Sequence, residues 1–294
     1  RVITFGNAGR LLPETSESLS IGLIFQLEAI DLSIAIDYFN FDIKDEIDRY
    51  GASSIINQCY NSSLAWGPDN LFCNDITRDS DGNIIEIMNK LYNQAELNTS
   101  GYDLALDWMF ELGRGGDLTF DANWTHISDY TSTFQSNDGL QTDSYNNQLD
   151  YGIFQDRATF AFTWRFHDWR VRWSMKYWGD IVDHRDRVEQ HQELFAENDA
   201  ACAAGSEDCI ANPEVPKYLY YPSYWRHDFS LSYSMFLESG ANLRLFGGVK
   251  NVFDDKGPFI PRTGDNYERG IGNFDSKYGG GIGRFVFAGV EMRF

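Results

Sequence analysis

Residue-by-residue alternation of apolar and polar side chains runs through this chain with a persistence that few folds accommodate. In LSIGLIF, residues 19 to 25, the apolar positions are Leu19, Ile21, Leu23 and Phe25; in DLSIAIDYF, residues 31 to 39, Leu32, Ile34, Ile36 and Tyr38 stand opposite Ser33, Ala35, Asp37 and Phe39. The design returns in NQAELNTSGYDLALDWMF (93 to 110), DLTFDANWT (117 to 125), ATFAFTWRF (158 to 166), DWRVRWSMKYW (168 to 178), DFSLSYSMFL (228 to 237), ANLRLFGGV (241 to 249) and GRFVFAGVEMRF (283 to 294). Successive side chains of a strand point to opposite faces, so this period predicts nine strands, each with one apolar face.

The opposite faces carry Asp103, Asp107, Asp117, Asp121, Arg165, Arg170, Arg172, Lys176, Asp228, Glu238, Arg244, Lys250, Glu291 and Arg293, all of which need water or partners. Elements of about 9 to 11 residues exceed the usual 5 to 6 of globular strands. They match tilted strands that cross a bilayer with one face in lipid. No stretch approaches the roughly 18 apolar residues of a spanning helix. The predicted class is all-β, a transmembrane antiparallel β-barrel, with residues 1–294 forming a single partial barrel domain.

Connections alternate between short and long. Tight turns fall at Glu28 to Ala29, Gly113 to Gly116, His167 to Asp168 and Ser239 to Gly240, while long loops run over about 45–90, 130–150, 181–221 and 253–283 and take up about half the chain. In an antiparallel meander this places every long loop at one end, the polarity of outer-membrane barrels with long extracellular loops and short periplasmic turns. Nine strands cannot close with all neighbours antiparallel, so a longer chain is expected. GNIIEIMNKLYN (82 to 93) is read as a short hairpin arm above the membrane and SSIINQCYN (53 to 61) as a short helix in the first loop. The last strand puts Val286, Ala288, Val290, Met292 and Phe294 on one side, and the terminal aromatic Phe294 is the expected signal for the barrel insertion machinery.

With 24 basic and 44 acidic residues the net charge is −20, which argues against a nucleic-acid partner. The four cysteines fall in two local pairs, and the reading is two disulfides, Cys59–Cys73 and Cys202–Cys209, formed in an oxidising compartment, set against four free thiols. The Gly82 loop of TRDSDGNIIE puts Thr77 and Met88 where an EF-hand needs its first and last ligands, so it is read as a turn. The five histidines are scattered, and HRDRVEQH (184 to 191) is read as a charged loop stretch. No nucleophile with its base and no phosphate-cradling loop appears, so neither an enzyme, a metal centre nor a cofactor is called for. Aromatics of the long segments, Trp66, Phe72, Tyr130, Phe134, Tyr145, Tyr218 and Tyr220, are candidates for stacking on a solute, with interfacial girdling the competing role for Tyr220 to Trp225.

At the level of motifs, LLPETSESLSIGLIF (11 to 25), YFNFDIKDEI (38 to 47), Asn93 with GYDLALDW (101 to 108), GGVKNVFDD (247 to 255) and the ending GRFVFAGVEMRF occur in an order that covers nearly the whole chain. Together they resemble the C-terminal half of a TonB-dependent outer-membrane receptor. The resemblance implies a 22-stranded barrel of which these would be the last nine strands. It implies energised import of a scarce large solute across the bacterial outer membrane through a multi-pass barrel.

The implied partners are outer-membrane lipid, an N-terminal plug domain with the remaining strands, and a periplasmic TonB-type coupling protein. Asp103, Asp107, Asp121, Arg165, Arg170, Arg172 and Arg244 would then face the lumen, holding the plug, bracing the loops or guiding solute. The stapled, aromatic and amide-rich loops suggest an oligosaccharide as the solute; a ferric siderophore, haem or cobalamin is the alternative. A passive porin or a structural or adhesive outer-membrane protein would keep the same strands.

Overall fold

The computed structural model describes residues 1–4, 6, 11–60, 67, 70, 72–136, 139–149, 151–214, 218–238, 240–260, 278 and 283–294. In chain order the first strands are β1 (Val2–Thr4), β2 (Thr15–Leu27), β3 (Leu32–Asp48), β4 (Ile76–Arg78), β5 (Ile84–Asn89), β6 (Tyr92–Glu111), β7 (Asp117–Ser136) and β8 (Gly139–Ser144), with helix α1 at Gly51–Tyr60. The rest are β9 (Asp156–Phe166), β10 (Trp169–Trp178), β11 (Ile181–Val182), β12 (Tyr220–Tyr221), β13 (Tyr224–Phe236), β14 (Asn242–Lys250) and β15 (Phe285–Arg293), with α2 at Arg185–Ala203.

Among the described residues one sheet runs in the order β15-β14-β13-β10-β9-β7-β6-β3-β2, with β8 paired to β7. These nine strands on the path are the nine segments that alternation picks out. Each neighbour in this order is also the next long strand in sequence, the signature of a meander. The described sheet is an open path, with β2 and β15 at its ends.

Tight turns join the strands where the sequence places them. Gly116 follows a short 3-10 turn with φ of 82°, and a Cβ there would stand 2.0 Å from the Arg165 carbonyl oxygen, so both conformation and space demand glycine. Trp164 Nε1 donates to the Gly115 carbonyl at 2.8 Å and ties the same turn to β9. Asp31 and His167 take φ of 48° and 50° at two other turns.

The chain forms two compact units, and β2, β3, β6 and β7 contribute to both. The first comprises Arg1–Ile21, Phe39–Gly101 and Ser128–Tyr145. Within it β1, β5 and β4 form a small sheet in which β1 lies parallel to β5, pairing Val2 with Ile87. Segment 82–93, read as a hairpin arm, thus supplies the central strand β5, which is hydrogen-bonded on both edges. The parallel partner lies about 85 residues away in sequence and leaves no local trace.

Helix α1 packs on this sheet through Ile55 and Cys59, with Phe72 and Ile87 completing a core that Tyr50, Ile56, Ile76 and Ile84 flank. The segments that carry the motif resemblance act here as clamps. Glu14 Oε1 accepts from the Ile47 amide at 2.7 Å; Asn93 accepts from the Leu12 amide at 2.8 Å and donates to the carbonyls of Leu12 and Asp45 at 2.9 and 2.7 Å.

The second unit holds Gly22–Tyr38, Tyr102–Ile127 and Asn146–Phe294. Its buried cluster of Leu149, Phe154, Trp178, Ile181, Tyr221, Tyr224, Ile260 and Tyr278 gathers residues from the connections rather than from the strand centres. Asn251 of the NVFDD segment is buried at φ 52°; its amide donates to the Asp255 carbonyl at 2.7 Å and its Oδ1 accepts from the Asp255 N–H at 3.1 Å. That segment is therefore a closed turn, anchored to β13 by the Asn251 N–H donating to Asp228 at 2.8 Å.

The stretch 184–191, read as a charged loop, is instead the start of α2, where the His184 side chain accepts from the Asp186 amide. None of the residues of α2 is buried. A helix with no apolar stripe lacks the 3.6-residue period by which a helix is recognised in sequence. The 130–150 connection is likewise largely strand, since β7 runs on to Ser136 and β8 folds back on it with Thr131 opposite Ser144.

Candidate functional site

Cross-strand register decides which side chains share a face, because directly opposed residues project the same way. β9 and β10 oppose Trp164 to Val171, Phe162 to Trp173 and Phe160 to Met175; β10 and β13 oppose Trp169 to Tyr233, Val171 to Leu231 and Trp173 to Phe229. Tyr233 then meets Leu245, and Leu245 meets Val290. One apolar face results across β9, β10, β13, β14 and β15. Many of its side chains are exposed, from Trp164 at 38% and Leu245 at 42% to Val290 at 69%, which water alone would penalise.

Aromatic pairs edge this face at both ends. Trp169 with Tyr233 and Trp164 with Phe166 lie toward the tight turns; Tyr177 with Trp225 and Phe160 with Trp225 lie toward the long connections. From Trp169 to Tyr177 is eight residues, about 26 Å along the strand and roughly 20 Å along the normal at a tilt of about 40°. That comes within about 5 Å of the height of an apolar band between two girdles, about 25 Å.

The same register collects the predicted lumen residues on the other face. Arg172 is bound to Asp121 at 3.3 Å and donates to Thr163 at 2.8 Å, and Asp107 lies beside Asp121. Asp103 accepts from Thr125 at 2.5 Å, and Arg165 reaches Thr119 at 3.3 Å. Arg244 approaches Glu291 at 3.5 Å, and Glu291 also holds Arg293 at 2.7 Å. Arg170 has no carboxylate partner among the described residues and lines two cavities of about 290 and 270 Å³.

Sequence reading missed two features of this face. Between β14 and β15 the ring of Phe246 covers Gly289 and that of Phe287 covers Gly248. On β13 the inward positions Ser230, Ser232 and Ser234 form an unbroken serine row opposite Arg172, Arg170 and, on β14, Arg244. The row was visible as S-L-S-Y-S at a period of two.

The aromatic candidates of the long segments divide. Tyr130 and Tyr145 approach to 6.4 Å within the first unit. Tyr218 packs at 5.7 Å from Phe259 and Tyr220 at 6.4 Å from His191 in the second, both half exposed. Phe134 is partly buried, and Trp66 lies outside the described residues. Phe72 corrects its expectation: it is buried in the core under α1, edge-on to Tyr50 at 4.9 Å, because an aromatic next to the disulfide is the largest apolar group available to fill that small core. Of Tyr220 to Trp225, Tyr224 is a core residue while Trp225 stays on the apolar face.

Both predicted disulfides are formed, Cys59–Cys73 and Cys202–Cys209. Beside the first, buried Asp75 takes Lys90 Nζ and the Tyr92 hydroxyl as partners. Burial, then the hydrogen bond to Asp75, pushes the Tyr92 hydroxyl well above its ordinary range; burial alone raises Tyr50. At the Gly82 turn Asp79 accepts from the Asn83 side chain and from the amides of Asn83 and Asp81, which hold its carboxyl below the ordinary value. This aspartate is spent on its own turn.

The sequence matches the family described as TonB dependent receptor-like, beta-barrel, over residues 2–252. Among solved structures it resembles the outer membrane transporter YddB from Escherichia coli at 14% identity and a TM-score of 0.56, covering 99% of this chain and 34% of that one. A mutant of the ferric enterobactin receptor from Pseudomonas aeruginosa resembles it at 14% identity and a TM-score of 0.51, covering 96% and 31%. Another mutant of that receptor, in complex with enterobactin, gives 15% and 0.51, with 96% and 32% covered. These likenesses are of fold, and the chain spans about a third of the length of the solved structures. No curated protein matches by sequence. The chain belongs to the TonB-dependent receptor family, in its β-barrel portion, and its place is the bacterial outer membrane.

Proposed function

We propose that this chain forms part of the wall of an energised importer that brings a scarce, large solute across the outer membrane. The observation that supports it most is the register, which assembles a lipid-compatible face and a charged, hydrogen-bonded face on the same strands. On this reading the nine strands belong to a larger closed barrel. The lumen is filled by a plug, opening is driven through a TonB-type coupling protein, and Phe294 serves barrel insertion. Asp103, Asp107, Asp121, Arg165, Arg172 and Arg244 line the passage, and the long connections over 45–90, 130–150, 181–221 and 253–283 stand outside the cell.

For the solute we favour a ferric chelate over an oligosaccharide. Similar solved receptors bear the names of ferric enterobactin receptors. The oligosaccharide reading rested on loop aromatics, of which Phe72 is a core residue. Tyr130 with Tyr145, and Tyr218 and Tyr220, remain as the stacking groups for either solute. The test is uptake by cells expressing the complete receptor, with radioactive iron as a catecholate chelate and, in parallel, labelled maltodextrin. Iron uptake that stops with a proton uncoupler is expected; maltodextrin uptake without iron uptake would overturn the choice of solute, and uptake of neither would overturn import of both classes.

A further inference from the structure

The inner face of β10, β13 and β14 carries a trough centred on Arg170, whose guanidinium has no carboxylate partner among the described residues. Its floor is the serine row, Ser230, Ser232 and Ser234. One wall is Arg170 and Arg172, directly opposite Ser232 and Ser230; the other is Arg244, directly opposite Ser234. Two strand spacings separate the walls, roughly 9 to 10 Å between backbones. The two cavities lie in this trough, and Arg170, Ser232 and Arg244 line both.

Charge sharpens the picture. Arg170 stands directly opposite Arg165 on β9, an arrangement that costs stability when left unneutralised. Of the acids nearby, Asp121 holds Arg172 of the same wall, and Glu291, which itself lines the larger cavity, holds Arg244 and Arg293; of the wall arginines Arg170 alone is left without a carboxylate among the described residues. Asp168 also borders the larger cavity, at its turn end, and makes no ion pair with Arg170. Guanidinium forks and short hydroxyls around a slot are the donor set of an oxyanion site, since arginine binds planar oxyanions through paired N–H groups.

We propose that this trough binds an oxyanion, a carboxylate or phosphate-type group, held by the Arg170 guanidinium with Arg244 facing it and Ser232 as neutral donor. The anionic group comes either from an acidic side chain of the complete receptor or from a diffusing solute. The proposal stands on the geometry of the face and is independent of which solute is imported.

The test uses the complete receptor, purified in detergent, with inorganic phosphate as the probe and thermal midpoint as the readout. The variants are Arg170→Gln and, as a control cation on the same strand, Lys176→Gln. If the anion is a fixed carboxylate, Arg170→Gln lowers the midpoint by several degrees, Lys176→Gln does not, and phosphate has little effect. If it is exchangeable, phosphate raises the midpoint of the wild type and of Lys176→Gln, and in Arg170→Gln its apparent affinity falls about tenfold or more. Should Arg170→Gln not fold, Arg170→Lys keeps the charge, loses the fork and serves the same comparison. An unchanged or raised midpoint in Arg170→Gln, with phosphate acting equally on all proteins or on none, overturns the proposal, because it means that only a repulsive charge was removed.

Discussion

Phe246 on β14 covers Gly289 on β15, its directly opposed neighbour, so closely that a Cβ at 289 would stand 2.4 Å from Phe246 Cζ. One step along, Phe287 of β15 covers Gly248 of β14, with 2.7 Å to its Cζ. The two ring-over-glycine contacts point in opposite directions across one strand pair. They supply on the polar face the apolar contact that glycine itself lacks, and they fix the register, since a slip of one residue would put rings against side chains.

Gly289→Ala is therefore expected to destabilise the barrel by about 1–3 kcal/mol through overpacking. Phe246→Ala combined with Gly289→Ala should recover part of that loss, because the ring that clashes is gone. Urea unfolding of the complete receptor in detergent, run as a double-mutant cycle, checks the coupling.

Asp121→Asn removes the carboxylate that Arg172 holds at 3.3 Å. Both side chains are about a third exposed, so solvent screening limits the loss to about 0.5–1 kcal/mol, and the difference from wild type should shrink in high salt. A loss that is several times larger and insensitive to salt would mean that the pair is dry in the complete receptor.

Opening the Cys59–Cys73 bridge by a paired change to alanine should cost the first unit about 3 kcal/mol in the chain-entropy account. The expected readout is faster proteolytic cleavage within residues 51–92, with the barrel strands still protected. The partly exposed Cys202–Cys209 bridge at the end of α2 closes a shorter loop beside a helix with no buried residue. Its loss should leave the rest of the second unit intact by the same assay.

Alkaline and acid limits of the first unit have opposite origins. Tyr92 and Tyr50 are raised in the folded state, so their contribution is full below the free tyrosine value near 10 and is lost as pH climbs beyond it. Asp79 is lowered, so its contribution is present above the free value of 3.8 and is lost as pH falls below it. Protease protection of residues 51–92 should accordingly be flat between about pH 5 and 9 and fall on either side. Tyr92→Phe should reduce the alkaline loss, and Asp79→Asn the acid loss.

How much could be read beforehand follows from what is local. The strands of the sheet were legible because lipid on one side and a polar interior on the other force a period of two, as in Leu231 and Tyr233 against Ser230, Ser232 and Ser234. Cys59–Cys73 and Cys202–Cys209 were legible because they close short loops. Non-local and stripe-free elements were not: β1 finds β5 across most of the first unit, and α2 has no buried face. Phe72 was misassigned because an aromatic in a loop gives no sign of whether it stacks on a solute or fills a core. The ring-over-glycine pairs require register, which appears only once strands are paired.

The whole account depends on lipid lying against the apolar rows. Site-directed spin labels placed one at a time from Phe229 to Ser234 in the complete receptor, reconstituted in bilayers, test this most directly. Collision with oxygen and with a water-soluble nickel chelate is measured at each site. The account predicts strict alternation, with labels at 229, 231 and 233 reached by oxygen and shielded from nickel, and labels at 230, 232 and 234 the reverse. Nickel reaching 229, 231 and 233, with 230, 232 and 234 in lipid, would contradict it.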